Sequence, residues 1–368
     1  MKVICPQKDL SLALSHIAPI AMGRTALPIL QTIRLNAEES TLSLLSCDGE
    51  MWAERKILAR IEEPGSICVS AKLLLDLITA LPNSNITLEI KDNSLYIGND
   101  HSEWHMLALP ANDFPEIPNI EPNSELKLSM SEFKDAIDKV AYAVADDLSR
   151  PILTGVLFNY DETQLTLVAT DTHRLSVYQL NKEGIGSEIE AVVPEKALRS
   201  IKNLPIEDPE EISLKFDDTR LFVQSSDSTI VSQLLAGSFP NWQSVIPQET
   251  SGSWTFDKGD FVENVKRTMI LARDNANRIL FKGSEGQILM GAKSEEKGQA
   301  KEEIPAVCKN GEIEIAFNGK YVLEALSTLD AEGVKAEFTE SSRPAIIKSA
   351  DASENENHYC VIMPMALN

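Results

Sequence analysis

The 368-residue chain has only five cysteines, and none belongs to a C-x-x-C pair. Odd in number and scattered, Cys5, Cys47, Cys68, Cys308 and Cys360 exclude a disulfide framework and read as reduced, buried filler. No apolar run approaches the roughly 20 residues that a membrane-spanning helix needs, so no membrane partner is expected. The opening MKVICPQKDL lacks the apolar core of a signal peptide, which makes a cytoplasmic location the expectation. There is no P-loop, and the Gly-Ile-Gly tract at 184 to 186 reads as a loop rather than a dinucleotide fingerprint, so no cofactor is expected. No G-x-S-x-G elbow accompanies Asp171, His173 and Ser176, and residues two apart on a strand share a face without setting a base against a nucleophile, which argues against a hydrolase. His101 and His105 have the i, i+4 spacing of a helical zinc pair, but EWHMLALP alternates like a strand, so no metal site is expected. Positive charge is scarce as well: 34 Lys and Arg stand against 56 Asp and Glu, a net charge of −22. Phosphate binding depends on Lys and Arg releasing counterions, so nucleic acid remains open as a partner only if the charge is unevenly placed.

What the chain does have is a repeat. VSAKLLLDLITALPNSNITLEI begins at residue 69, VPEKALRSIKNLPIEDPEEISLKF at 193 and FNGKYVLEALSTLDAEGVKAEF at 317, with Lys72, Lys196 and Lys320 spaced 124 residues apart. Ile33, Val156 and Ile279 recur at steps of 123, as do Asp48, Asp171 and Ser294. The first two copies close on Phe-Pro turns, FPEIP at 114 and FPNWQSVIP at 239. Repetition at a fixed period decides the architecture ahead of any single motif. Boundaries are expected in the Pro-, Asn- and Ser-rich stretches near 120 and 248, giving domains 1–120, 121–247 and 248–368.

Each copy shows two apolar stripes at helical spacing. The opening stripes are Leu10, Ala13, Leu14, Ile17; then Phe133, Ala136, Ile137, Val140, Ala141, Val144; then Phe261, Val262, Val265, Met269, Ala272. The second stripes follow the lysine landmark: Leu74, Leu77, Ile78, Leu81; then Ala197, Leu198, Ile201, Leu204; then Val322, Ala325, Leu326, Leu329. Alternating stretches such as TLSLLS, QLTLVAT and EISLKF, set between turn residues, read as antiparallel strands. The expected fold class is α+β, with three tandem domains of two helices packed on antiparallel sheets. By count, the six helical segments sum to about −1 against −22 for the chain, since the acid gathers in turns and linkers such as IEDPEE and ASENEN. Such runs are either plain solvated surface or an acidic exterior that leaves the helices relatively positive.

LPIL, RPILTGVLF, ATDTHRLS, FPNWQSVIP, FNGKYVLEAL and the terminal YCVIMPMALN, in that order along the whole chain, make it resemble the bacterial sliding clamps, the beta subunits of the DNA polymerase III holoenzyme. The resemblance implies a head-to-tail dimer, a six-domain ring around duplex DNA, and no catalysis. ATP belongs to the loader that opens such rings. Twelve helices about 9 to 10 Å apart trace a circle of roughly 110 to 120 Å, which leaves a hole near 25 Å after one helix diameter is subtracted. A duplex of roughly 20 Å fits loosely, with contacts indifferent to sequence. The resemblance marks Arg24 as a DNA contact, and the helix faces add Lys72, Lys134, Lys139, Lys196, Arg199, Lys202, Lys266, Arg267, Arg273 and Lys320, each of which also reads as ordinary solubilising charge.

The resemblance also implies a pocket for short Gln-x-x-Leu-x-Phe peptides carried by the polymerase catalytic subunit, the clamp loader, other polymerases, ligase and mismatch-repair proteins. Leu153, Thr170, Thr172, His173, Arg174 and Leu175 would form one wall and Pro240 and Val245 another, with Pro344, Ile346, Met363, Pro364 and Met365 closing it. A Met-rich tail suits several partners; the bland alternative is a last strand packed as core. Ser244, where many relatives carry Arg, and Ala366, where a basic residue often stands, reduce positive charge at the pocket mouth. Trp104 and Met106 against Ile270 and Leu271 are the expected dimer contact, or else internal core. The rival to a clamp is a monomeric peptide-binding scaffold that never encloses DNA.

Overall fold

Capping and periodicity place the six helices where the apolar stripes lie. In the computed structural model, which describes residues 1–23, 25–99, 102–182, 188–206, 211–310, 312–351 and 357–367, they are α1 (Gln7–Ala21), α2 (Ala71–Ala80), α3 (Met130–Val140), α4 (Glu195–Lys202), α5 (Lys258–Ala272) and α6 (Gly319–Ser327). Arg24, His101 and the Gly-Ile-Gly tract lie outside the described residues, as do most of IEDPEE and ASENEN. Ser129 and Glu132 form a capping box at α3: the Ser129 Oγ accepts from the Glu132 N–H at 3.2 Å, and the Glu132 carboxylate accepts from the Ser129 N–H at 2.9 Å. Asp257 at α5 accepts from the Asp260 N–H and Asn318 at α6 accepts from the Lys320 N–H, each a single side-chain cap. The stripe expected to carry α3 on to Val144 stops earlier, because residues Ala141–Ala143 tighten into a 3-10 turn. With these bounds α4 carries +2, α5 +1 and α3 −1 while the other three are neutral, so the helices total +2 rather than about −1.

Hydrogen bonding divides the chain differently from the repeat. One compact unit holds Met1–Phe133 and Lys196–Leu234; the other holds the remaining described residues. The first is built on a thirteen-stranded antiparallel sheet, running in order through strands 124–129, 211–216, 220–224, 228–233, 51–58, 41–47, 32–38, 65–70, 102–109, 94–99, 85–91, 2–6 and 60–63. The expected boundary near 120 is therefore no break in the sheet: strand 228–233 of the middle copy pairs with strand 51–58 of the first.

The second unit has a nine-stranded sheet, ordered 189–194, 155–160, 164–170, 174–181, 358–362, 345–349, 333–338, 252–257 and 307–309. A four-stranded sheet of 298–305, 287–294, 278–284 and 314–318 accompanies it. Here strand 174–181 of the middle copy pairs with strand 358–362 of the last. The apolar stripe of α5 (Phe261, Val265, Ala272) and that of α6 (Val322, Ala325, Leu326) enter one core with Phe281 and Phe317 from the small sheet and Trp254 and Phe338 from the large one. Among the described residues no helix is long and apolar enough to cross a membrane, and all five cysteines are free, with only Cys308 more than slightly exposed.

Gly155 opens strand 155–160 where nothing larger fits. A Cβ there would lie 2.5 Å from the Val193 carbonyl oxygen and 2.7 Å from Leu235 Cδ1. Backbone cannot yield as a side-chain tip can, so Gly155→Ala is expected to cost about 2 kcal/mol, in the range of overpacked cores. Urea denaturation checks this, and a loss below about 0.5 kcal/mol would refute the clash.

Candidate functional site

Strands 164–170 and 174–181 are joined by a turn that the sequence builds from ATDTHR. The Asp171 Oδ1 accepts from the N–H groups of His173 and Arg174 at 2.9 and 3.0 Å, and Thr170 Oγ1 accepts from the Thr172 N–H at 3.1 Å. These bonds hold Thr172 at φ 77, a conformation that a β-branched residue avoids and that surrounding structure must over-determine. Arg174 lies behind the turn with its side chain 8% exposed. Its Nε donates to Asp171 Oδ2 at 3.0 Å, one terminal nitrogen donates to Glu324 and the other donates to the Tyr142 carbonyl at 2.6 Å. The rings of Tyr142 and Tyr321 lie 5.1 and 4.5 Å from the guanidinium carbon. A buried guanidinium needs this many partners, because burying a charge without them costs several kcal/mol.

In front of the turn is an apolar cleft of about 130 Å³, lined by Thr170, Thr172, Arg174, Leu175, Pro240, Asn241, Trp242, Val245, Val361 and Met363. Sheet pairing fixes its floor: Leu175 stands opposite Val361, and the Met363 N–H donates to the His173 carbonyl at 2.9 Å. The opposite wall is the 3-10 turn Trp242–Val245, where Ser244 Oγ donates to the Asn241 carbonyl at 2.6 Å. A space this small, beside pockets of roughly 300 to 1,000 Å³ for whole ligands, suits one or two apolar side chains. A more polar cavity of about 340 Å³ adjoins it, sharing Thr172 and Arg174 and lined also by Leu153, Asp171, His173, Lys320 and Tyr321. Together they form a groove with an apolar end and a polar end. Ile346 packs into the apolar cluster under the cleft. Pro344, Pro364 and Met365, expected as closing residues, are half-buried and are not among the residues lining it; the Met365 N–H instead bonds the Ala316 carbonyl on the small sheet.

The geometry gives no hydrolase: Asp171 caps its own turn, and the Ser176 Oγ donates to the Lys139 carbonyl at 2.7 Å. Family models then decide the matter. The chain matches the DNA polymerase III beta subunit N-terminal domain over residues 1–118, its central domain over 127–241 and its C-terminal domain over 243–366. The chain belongs to the DNA polymerase III beta subunit family.

This beta subunit is 29% identical over 336 residues to the beta sliding clamp of Staphylococcus aureus, an alignment that covers 88% of the chain and 89% of that protein. A DNA polymerase sliding clamp from Pseudomonas aeruginosa superimposes with a TM-score of 0.93 at 28% identity, and one from Bacillus subtilis with 0.94 at 25%, each over the full length of both chains. The fold is therefore three clamp domains. As a sliding clamp it is a non-catalytic processivity factor for DNA synthesis.

The expected lining cations of the clamp subunit fall into two groups. Lys72, Arg199, Lys266, Arg267, Arg273 and Lys320 are exposed on the helices or at their ends, and Lys134 and Lys202 are half-buried. Lys266 pairs with Glu263, Arg267 with Glu302 and Lys320 more distantly with Glu324. Lys139 departs from the expectation: its side chain is 13% exposed, its Nζ lies 3.0 Å from Asp135 and 2.9 Å from Asp330, and it sits over the Tyr178 ring. Lys196 is likewise held by Asp48, at 3.1 Å, and by Glu50. An ammonium between two carboxylates brings no net positive charge to a phosphate.

On the expected dimer strand, Trp104 and Met106 are half-buried, while their neighbour Leu107 is 86% exposed. Strand 102–109 pairs along its length with 94–99 but meets strand 65–70 only at Ala108 and Leu109, so residues 102–107 present an open edge among the described residues. Ile270 on α5 is exposed, but Leu271 packs against the core. Strand 298–305, overlooked in the sequence because its charge-rich GQAKEEIP resembles a loop, is an outer strand of the small sheet. Asn241, Trp242 and Val361 in the cleft were also missed. The Trp-containing turn was visible as a motif, but its direction was not.

Proposed function

We propose that two copies of this clamp subunit close head to tail into a ring around duplex DNA, and that the groove beside Arg174 docks the short Gln-x-x-Leu-x-Phe peptides of the polymerase III catalytic subunit, the clamp loader, other polymerases and repair proteins. The domains run 1–120, 121–247 and 248–368, close to the three family matches, and the protein works in the cytoplasm. The observation that carries the reading is the exposed face of the helices: their apolar stripes are buried while Lys72, Arg199, Lys266, Arg267, Arg273 and Lys320 stay in solvent. Lys134 and Lys202 complete the lining, and Arg24 joins it on the family resemblance alone; Lys139 and Lys196 are left out because each is held by a carboxylate pair. Contacts of this kind are electrostatic and sequence-independent.

Ring closure uses the open edges. Residues 102–107 of one copy add to strand 298–305 of the other, with Leu107 and Ile270 covered by the same contact; an unpaired apolar edge otherwise invites aggregation. The docked peptide sets Leu and Phe side chains into the apolar cleft lined by Leu175, Trp242, Val245, Val361 and Met363.

Loading the protein on nicked circular DNA and then linearising the circle tests this. Release from the free ends, with a solution mass near twice 40.6 kDa, is the expected result. A 40.6 kDa species that stays bound to linear DNA would replace the ring with the monomeric scaffold.

A further inference from the structure

The turn and strand pair under the cleft occur twice, once in each compact unit. Asp48 and Asp171, 123 residues apart, each accept two backbone N–H groups two and three residues on. Gly49, at φ 97, occupies the place of Thr172, at φ 77. Beyond the turn, Trp52 stands opposite Val231 as Leu175 stands opposite Val361. On the far side of those valines lie Phe222 and Ile346. Even the anchoring bond is shared, since the Gln233 N–H donates to the Glu50 carbonyl just as that of Met363 donates to His173.

The two differ in what fills the front. In the second unit Leu175 leaves the cleft. In the first, Trp52 is 9% exposed and packs with Val231, Leu45 and Phe114 in a closed apolar cluster. The indole pays for this position, since its Nε1 is buried with no hydrogen-bond partner among the described residues, a cost that packing alone gives no reason to accept. The FPEIP segment lies over the cluster, with Glu116 bonded twice to Arg34 and the Arg34 guanidinium 5.7 Å from the Phe114 ring.

We propose that the first unit carries a second copy of the docking cleft, closed by Trp52, and that the residue at 52 and 175 sets one docking site per chain. The inference rests on the peptide-docking reading above. Exchanging the two side chains tests it, with calorimetric titration of the synthetic peptide Gln-Ala-Ser-Leu-Ala-Phe as readout. The unaltered dimer takes one peptide per chain. Leu175→Trp lowers affinity at least tenfold while solution mass and far-UV dichroism stay unchanged. Trp52→Leu combined with Glu116→Ala, which frees the covering segment, gains a second peptide per chain. Binding that survives Leu175→Trp within threefold overturns the inference, as does a count that stays at one in the Trp52→Leu, Glu116→Ala protein. If the unaltered protein binds no peptide, the docking reading itself fails.

Discussion

Arg174→Ala lowers the stability of the clamp subunit by about 3 to 5 kcal/mol, the loss expected when one member of a buried charge network is removed. The magnitude comes mainly from what is left behind. Asp171 and Glu324 lose the cation between them, and Tyr142 and Tyr321 lose the charge that fills the space between their rings. Asp171 is also the cap of the cleft turn, so the strained φ 77 of Thr172 loses part of its support. Peptide affinity therefore falls together with stability. Arg174→Lys restores a charge but not the planar fork that reaches Asp171, Glu324 and the Tyr142 carbonyl together, and recovers less than half of the loss. Urea midpoints and peptide titration on the two variants check this. A loss under about 1 kcal/mol for Arg174→Ala would show the network to be incidental.

Acid is the second large effect. His358, 6% exposed, accepts no proton easily, because burial and the nearby Lys139 ammonium push its pKa down to about 4 despite the opposing pull of Asp330 and Asp135. Its Nε2 lies 3.2 Å from the Lys139 carbonyl and 3.3 Å from Ser176 Oγ, and the Tyr178 ring meets it edge-on. In the unfolded chain the imidazole titrates near 6.5. Below that pH the unfolded chain binds a proton that the folded chain refuses. The contribution is complete above about pH 6.5, is lost as pH falls toward about 4, and levels off below, for a total of about 3 kcal/mol. Asp330, whose carboxyl Lys139 holds below its usual range, responds only at lower pH. Burial and the nearby Arg55 guanidinium also hold the His16 pKa below its usual value, so the measurement is the difference between the protein and His358→Gln. That difference should shrink by about 3 kcal/mol between pH 7 and pH 4; a constant difference would mean that His358 takes up its proton as readily in the fold as in the unfolded chain.

The two results concern residues that the sequence treats unequally. Arg174 is legible in ATDTHRLS as an expected pocket residue, and the cleft has it in its lining; that it also ties Tyr142 to Glu324 is not legible, since neither residue is near it in the chain. His358 carried no sequence signal at all. Lys139 shows the same limit from the other side: its i, i+4 partner Asp135 could be read from helical spacing, but Asp330 arrives from the last copy. The helix stripes were legible because a period of 3.6 is a local property, and their buried faces are the expected ones apart from the early end of α3. The edge strand 298–305 was not, because its one inward face carries only Ala300, Glu302 and Ile304, and a strand so poor in apolar residues has the composition of a loop.

By itself the sequence determined that one module is written three times, that each copy holds two amphipathic helices and antiparallel strands, and that negative charge gathers away from the helices. Periodicity, turn residues and composition are carried by neighbours in the chain, so they survive without coordinates. Only the tertiary structure decided that the sheets run through the copy boundaries, that Leu175 leaves a cleft where Trp52 closes one, and which lysines are already neutralised. Each of these depends on a partner more than a hundred residues away, and sheet register and ion pairing are set by where the chain returns, not by the residues beside it.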